Sequence, residues 1–134
     1  MTGIYDCFGY GSGYDVSFEE RYKLIRKAGF DCVMLWWSNQ FGRGDGYQED
    51  VRLARSAGLF VENIHAPVHE QNNQHQLPFD SNINWNTVME KIACTGYRGA
   101  TTLEPMNWDY SHLNICQFLE LAYERAKRLD DLRK

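Results

Sequence analysis

The sequence predicts an α/β fold in which four parallel strands alternate with four helices. Three segments (27–30, 56–59 and 94–97) share one pattern, in which a helical stretch ends at a glycine and an apolar, strand-like stretch follows. Glycine readily adopts the left-handed conformation that ends many helices, so these glycines are expected C-caps. The strand-like stretches are apolar on both faces, which is typical of a buried parallel sheet. The repeated unit therefore indicates βαβ connections wound in one direction.

The four strands share short length and apolar composition, and we expect them at 4–8, 32–37, 59–65 and 100–104. Hydrophobic periodicity predicts the helices between them. The first helix follows a capping box that begins at Ser17, and the next two span about 48–57 and about 85–95. The fourth begins near Ser111, which places His112 on the surface of its first turn.

The length of the chain limits both the fold and the function. Its 134 residues correspond to one domain, spanning 1–134, and are too few for a complete (β/α)8 barrel, which needs about 250 residues. A net charge of −4 argues against the basic surface that general nucleic-acid binding requires. No apolar run approaches the ~20 residues of a membrane-spanning helix, so we expect no membrane partner.

The cysteines indicate a reducing compartment. Cys7, Cys32, Cys94 and Cys116 form no CxxC pair, and we interpret them as reduced thiols in a cytosolic protein. The first residues contain neither a basic region nor a long apolar run, which argues against a signal peptide. We therefore expect a cytoplasmic location.

Two polar residues at predicted strand ends are candidates for catalysis. Glu104 ends the fourth strand and His65 ends the third, eight and seven residues after Gly96 and Gly58. Parallel strands bring these ends to similar height, at the face where α/β proteins place their sites. A surface glutamate and a core histidine are the alternatives.

Two further histidines, His69 and His75, lie in the polar segment after the third strand. Imidazoles near a carboxylate fit a divalent metal site with nitrogen and oxygen ligands, although the spacing matches no recognised zinc motif. Asp6 is a lesser ligand candidate, because a buried acidic residue needs a partner. Glu62 is expected to face a helix or solvent.

Aromatic residues at the strand ends are candidates for substrate binding. Trp36 and Trp37 end the second predicted strand, and Phe8 ends the first. Rings at this position can form the wall of a sugar-sized pocket. For each of them, packing in the core is the alternative.

Motifs along nearly the whole chain resemble one family. The segments that carry the resemblance in the first half are 19–21, 28–31, 34–37, 46–47 and 61–67. They look like the first three βα units of the xylose isomerase-like TIM-barrel proteins, which are sugar phosphate isomerases and epimerases. The segments 74–80, 83–85, 95–97 and 103–104 look like the last unit of the same family.

The resemblance implies half of a TIM barrel, because the central βα units of the family are missing between Pro67 and Gln74. Four parallel strands with helices on one side leave the inner face of the sheet exposed to solvent, and exposing apolar surface there costs free energy. Two copies related by a two-fold axis would remove the free edges and close an eight-stranded barrel. We therefore expect a homodimer.

The family chemistry implies a metal-dependent sugar isomerase or epimerase that moves a proton through an enediolate. The resemblance assigns Glu104 to the metal-binding glutamate of the final strand and His75 to the loop histidine before it. His65 matches a substrate-facing histidine, or takes the place of a missing metal ligand. The implied cofactor is a divalent metal (Mn, Mg, Zn or Co), and the implied substrate is a sugar or sugar phosphate.

Together, the positions of the candidate residues and the resemblance give one set of expected roles. Glu104 and His65 would be catalytic, the metal ligands would be Glu104, His75 and His65, and the substrate would contact Trp36, Trp37, Phe8 and His69.

Two other functions are open at this point. The first is a non-catalytic half-barrel that binds or organises a partner, which is favoured because two ligand-bearing strands of the family have no counterpart. The second is a nuclease of the same superfamily. Four histidines and a net charge of −4 argue against it, since such enzymes need many ligands and a basic groove.

Overall fold

Four parallel strands form one sheet. The structure is a computed structural model and describes residues 1–36, 47–65, 75–80 and 82–134. Its strands are β1 (Thr2–Tyr5), β2 (Cys32–Trp36), β3 (Phe60–His65) and β4 (Thr101–Leu103). The strand order is β3-β2-β1-β4, and every pairing is parallel. The strand that comes last in the chain therefore lies beside the first.

Within the described residues, four α-helices accompany the sheet: α1 (Phe18–Ala28), α2 (Tyr47–Ser56), α3 (Trp85–Cys94) and α4 (Ile115–Leu132). The predicted α/β class, with four parallel strands and four helices, is confirmed. Across the described ranges, no helix combines the length and the apolar character that crossing a membrane would need.

The fourth helix begins later than predicted, at Ile115, after a 3₁₀ turn at Trp108–Tyr110. The cause is a capping box. The side chain of Asn114 accepts the Gln117 backbone N–H at 3.0 Å, and the Gln117 side chain accepts the Asn114 N–H at 3.0 Å. These two bonds satisfy free backbone donors at the helix start. His112 precedes the helix and is exposed.

The repeated glycines end the helices as predicted. Gly29, Gly58 and Gly96 have φ values of 113°, 82° and 74°, all in the left-handed region. They differ in the space around them. A Cβ on Gly29 would lie 2.8 Å from the Tyr123 ring, whereas nothing lies within 4 Å of a Cβ on Gly96.

The helices pack against one face of the sheet and form the core. Ile4 pairs with Val33 on one side and with Leu103 on the other, so the three side chains share this face. All three are buried. The residues that α1 and α4 pack around them are Tyr22, Ile25, Phe118, Leu119 and Ala122.

The opposite face of the sheet is concave. Gly3 on β1 pairs with Cys32 on β2 and with Thr102 on β4. Above this row the Thr102 hydroxyl donates a hydrogen bond to Glu62 of β3. In a flat sheet the two outer strands would be about 14 Å apart, three spacings of about 4.8 Å, so the side chains could not meet. The contact requires the sheet to curve toward this face.

Glycine at position 3 makes the concave cluster of Cys32, Glu62 and Thr102 possible. A Cβ on Gly3 would lie 2.6 Å from Cys32 Sγ and 2.7 Å from Thr102 Oγ1. Both distances are too short for real contacts, so the side chains of the two neighbouring strands occupy the space that a larger residue would need. The two strands thus lean their side chains over β1.

An irregularity in β3 sets the position of Glu62. Val61 pairs with Val33, but the next residue of β2, Met34, pairs with Asn63. Glu62 is therefore the extra residue of a β-bulge, a feature that bends a strand and redirects its side chains. Glu62 is exposed, which agrees with the expectation that it faces a helix or solvent, and its carboxylate also accepts the Thr102 hydroxyl.

Replacing glycine by alanine at two helix ends separates backbone strain from crowding. We expect Gly96→Ala to lower the free energy of unfolding by about 1 kcal/mol, since alanine is strained in the left-handed region. Gly29→Ala carries the same strain and also meets Tyr123, which we expect to cost about 1–3 kcal/mol more. Urea unfolding of both variants measures the difference. Equal losses would contradict the close packing of Tyr123 on Gly29.

Candidate functional site

The predicted residues Glu104 and His75 come together at the carboxyl end of β4. Glu104 directly follows this strand and is exposed. The Nδ1 atom of His75 lies 2.9 Å from the backbone carbonyl oxygen of Glu104. Because a carbonyl oxygen can only accept, Nδ1 donates its proton, and in the neutral ring this places the lone pair on Nε2. A histidine held in this way is oriented to bind a metal or to accept a proton.

The backbone and ring of His75 are held from several sides. The Met106 N–H donates to the His75 carbonyl oxygen at 2.9 Å, and the Trp108 ring meets the imidazole edge-to-face at 5.8 Å between centroids. The next residue, Gln76, donates from Nε2 to the Asp109 carboxylate at 2.8 Å. The imidazole is thus fixed beside the end of β4.

Tyr110 anchors the segment 75–80 that carries His75. Its hydroxyl accepts the Leu77 N–H at 2.8 Å and donates to Asp80 Oδ2 at 2.9 Å. Burial raises the pKa of Tyr110 to about 12; the Leu77 N–H opposes this rise, and the bond to Asp80 adds to it. The hydroxyl therefore stays protonated, as this donor role requires.

Side chains of helix α4 hold the same segment, 75–80, in place. Arg125 forms an ion pair with Asp80 at 3.1 Å, and the Arg128 guanidinium lies 3.8 Å from the centroid of the Phe79 ring. Phe79 has a φ of 74°, a conformation that a residue other than glycine rarely adopts without support. The clamp from α4 supplies that support.

A groove runs along the outer edge of β4, between this strand and α3. Its volume is about 480 Å³, within the range of ligand pockets. Glu104 and His75 line it together. The other side chains along it are mainly apolar and include Trp85, Met89, Ile92, Tyr97 and Leu129.

Asp6, the lesser ligand candidate, joins three elements. It is fully buried directly after β1, where its Oδ2 accepts the Tyr22 hydroxyl at 2.9 Å and its Oδ1 accepts the Trp36 N–H at 2.9 Å. The carboxylate thus ties the end of β1 to α1 and to the end of β2. These two hydrogen bonds supply the partners that a buried carboxylate needs.

Arg21 is a buried structural residue that the sequence analysis did not single out. Its guanidinium donates to the carbonyl oxygens of Asp6 at 3.2 Å, Phe8 at 2.6 Å and also Tyr14. These bonds fold the glycine-rich loop after β1 around one side chain. An arginine in the first turns of an amphipathic helix gives no signal of burial, because most are exposed.

The aromatic candidates have different positions. Trp36 is half-buried at the end of β2, with its ring 5.8 Å from that of Tyr5, and it stays a candidate for a pocket wall. Phe8 is fully buried in the core and stacks on Phe118 at 5.6 Å. The prediction that Phe8 contacts substrate is therefore corrected to core packing. Trp37 lies outside the described residues.

His65 and Glu104 both mark carboxyl ends of strands, but at opposite edges of the sheet. His65 ends β3 and pairs with Trp36, while Glu104 follows Leu103, which pairs with Ile4. Two strands, β2 and β1, separate the two edges within one chain. The side chain of His65 and the whole of His69 lie outside the described part of the structure.

The donor set for a metal is incomplete within the described part of one chain. His75 and Glu104 supply one nitrogen and one carboxylate, but the described residues contain no group of three or more histidine, cysteine, aspartate or glutamate side chains that could hold a metal ion.

Comparisons with protein-family models, with curated proteins and with solved structures gave no match. The site is therefore interpreted from its own residues.

Two buried hydrogen-bond donors predict how stability changes with alkaline pH. Burial raises the pKa of the Cys32 thiol to about 11, and the nearby Glu62 carboxylate adds to the rise. Burial likewise raises the pKa of the Tyr110 hydroxyl to about 12. Each folded pKa lies above the unfolded value, so the stabilisation is complete below pH ~9 and is lost as pH rises through the folded values.

We expect the free energy of unfolding to fall from pH ~9 upward in the wild-type chain. Cys32→Ala should delay this fall toward pH ~10, where Tyr110 begins to contribute. Denaturant unfolding at several pH values measures the onset. Cys116→Ala, which removes an exposed thiol, is the matched control and should leave the onset unchanged. An unchanged onset in Cys32→Ala would contradict the buried, protonated thiol.

Proposed function

We infer that this chain is a half barrel of the xylose isomerase-like type, and that it isomerises or epimerises a sugar or sugar phosphate. The strand order supports the fold part of this proposal. β4 lies beside β1, as the last and first strands do in a closed barrel, and the contact between Thr102 and Glu62 supports a sheet that curves as a barrel wall would. A second copy would complete the eight strands. The cysteine pattern supports a cytoplasmic location.

The pairing of His75 with the end of β4 is the observation that carries the proposed activity. The Nδ1–H of His75 donates to the carbonyl of Glu104, which fixes the ring beside the backbone of that residue, and both residues line the same groove. An exposed carboxylate and an oriented imidazole thus belong to residues that meet at the carboxyl ends of parallel strands. α/β barrels place their catalytic residues at this end.

Each group has a definite task in proton transfer between neighbouring carbons of a sugar. In isomerisation, the exposed Glu104 carboxylate removes a proton from the carbon next to the carbonyl group and returns it to the former carbonyl carbon, while the hydroxyl proton moves between the two oxygens. In epimerisation, a second group on the opposite face returns a proton to the carbon that Glu104 deprotonated. His75, with its lone pair on Nε2, accepts a hydrogen bond from a substrate hydroxyl or holds a metal. The Trp36 ring provides an apolar wall at the end of β2.

The metal in this proposal would be held by Glu104 and His75, with His65 as a further ligand. When bound, a divalent ion supplies polarisation of the substrate carbonyl. One chain contributes two of these ligands within its described residues, so the proposal draws the remaining ones from a homodimer.

A second candidate function is a non-catalytic half-barrel that binds a partner. The incomplete donor set of the single chain favours it. In that case the clamp from Tyr110 and α4 would serve stability alone. The two functions differ in what a change at Glu104 does.

Solvent deuterium tests the proposed proton transfer. In deuterated water with Mn²⁺, we expect the chain to exchange the hydrogen next to the carbonyl of at least one member of a panel of ketoses and ketose phosphates, followed by NMR. Glu104→Gln should lower the rate by about 10²–10⁴-fold, because it removes the base. It should also weaken Mn²⁺ binding measured by titration calorimetry.

Glu124→Gln is the matched control, because this exposed glutamate of α4 lies away from the groove. It should exchange deuterium at the wild-type rate. Exchange that persists in Glu104→Gln would eliminate Glu104 as the base. Absence of exchange and of Mn²⁺ binding in all three proteins would favour the non-catalytic function.

A further inference from the structure

We propose that the groove beside β4 receives strand β3 of a second copy of this chain, so that each site is built from two copies. The inference rests on the proposed half barrel and names the surfaces that meet. It follows from the backbone of β4, the walls of the groove and the other edge of the sheet.

The outer edge of β4 offers backbone hydrogen-bonding groups to the groove. The Thr101 N–H donates to the Met1 carbonyl oxygen at 3.0 Å, on the side of β1. Successive residues of a strand direct their backbone groups to alternate sides, so the N–H and C=O of Thr102 point outward. β4 ends the strand order of the described sheet, so no described strand pairs with this edge. An unpaired edge of this kind readily accepts another strand.

The groove has the shape and chemistry that suit an extended segment. Its far wall is formed by Trp85, Met89 and Ile92 of α3, and its upper end is closed by His75, which bonds to Glu104 and Met106. One side therefore offers main-chain hydrogen bonds and the other offers apolar contacts. Strand addition to a sheet edge uses this combination.

A strand from a second copy fits better than an unrelated peptide because the same sheet supplies the complementary edge. β3 forms the opposite edge of the described sheet, and all four of its strands run in one direction. A two-fold axis along the strands keeps this direction, so β3 of one copy lies parallel to β4 of the other, twice. Phe60, which begins β3 and is 69% exposed, would gain cover in the groove.

The pairing also explains how the candidate site becomes complete. Within one chain, β2 and β1 separate His65 from Glu104. When β3 of a second copy lies beside β4, the carboxyl end of one strand, marked by His65, is adjacent to the end of the other, marked by Glu104. The second copy would thereby contribute the missing donor.

Two variants damage opposite sides of the proposed contact. Ile92→Glu places a charge on the half-buried wall of the groove, and Phe60→Lys places the opposite charge on the exposed start of β3. Light scattering on a sizing column, over a range of concentrations, should find a wild-type dimer. Each variant alone should need at least about tenfold more protein to dimerise. Leu121→Glu, on a half-buried position of α4 outside the groove, is the matched control and should dimerise as the wild type does.

Mixing the two variants decides which edges meet. In a mixed pair, one β3–β4 contact is wild type on both sides and the other brings opposite charges together. We therefore expect an equimolar mixture to dimerise at the concentration where neither variant does so alone. Circular dichroism of each variant verifies folding, and Phe60→Lys keeps the test valid if Ile92→Glu unfolds, because Phe60 is exposed.

The outcomes separate this inference from the proposed activity. A monomeric wild type, or a dimer that neither variant weakens, would overturn the pairing whatever the deuterium exchange shows. When both variants are folded, failure of their mixture to dimerise would also overturn it, since only β3–β4 pairing is restored by mixing. A dimer restored by mixing would support the pairing even if no exchange occurs, in which case only the isomerase proposal fails.

Discussion

The curvature of the sheet is the constraint on which the rest of the structure depends, and the concave cluster over Gly3 maintains it. Because position 3 has no side chain, Cys32 and Thr102 lean over β1 and Thr102 reaches Glu62 from the far edge. A flat sheet would hold β3 and β4 apart and would direct their outer edges away from each other. The curved sheet directs both edges toward the same side. The position of the groove along β4, and the positions of the strand ends marked by His65 and Glu104, follow from this curvature.

Much of the fold could be predicted from local chemistry. The glycines at 29, 58 and 96 mark helix ends because few other residues accept a positive φ, and the two-sided apolar strands require a parallel sheet. The strand order could not be predicted in this way, because it depends on contacts between distant parts of the chain. The bulge at Glu62 was equally hidden, since one extra residue in a strand leaves the apolar pattern nearly unchanged.

The candidate site was predictable in its residue types but not in its contacts. Glu104 was found from its position after a strand and His75 from its polar segment, yet the bond between them uses a backbone carbonyl, which no side-chain pattern encodes. Phe8 was misplaced because an aromatic residue near a strand end has the same sequence signature in a wall and in a core. Arg21 was missed because its three acceptors are carbonyl groups of a loop.

The position of β1 between β2 and β4 has a consequence for how the chain acquires its structure. Thr2 pairs with Thr101, whereas its neighbour Gly3 pairs with Cys32 on the other side, so one contact of β1 is formed early and the other late. During synthesis the first three strands emerge with one side of β1 still open, and it stays open until β4 and α4 follow. Pairing between such distant segments slows folding. The interval before the last strand pairs is therefore the period in which a ribosome-bound or chaperone-bound chain is most exposed to aggregation.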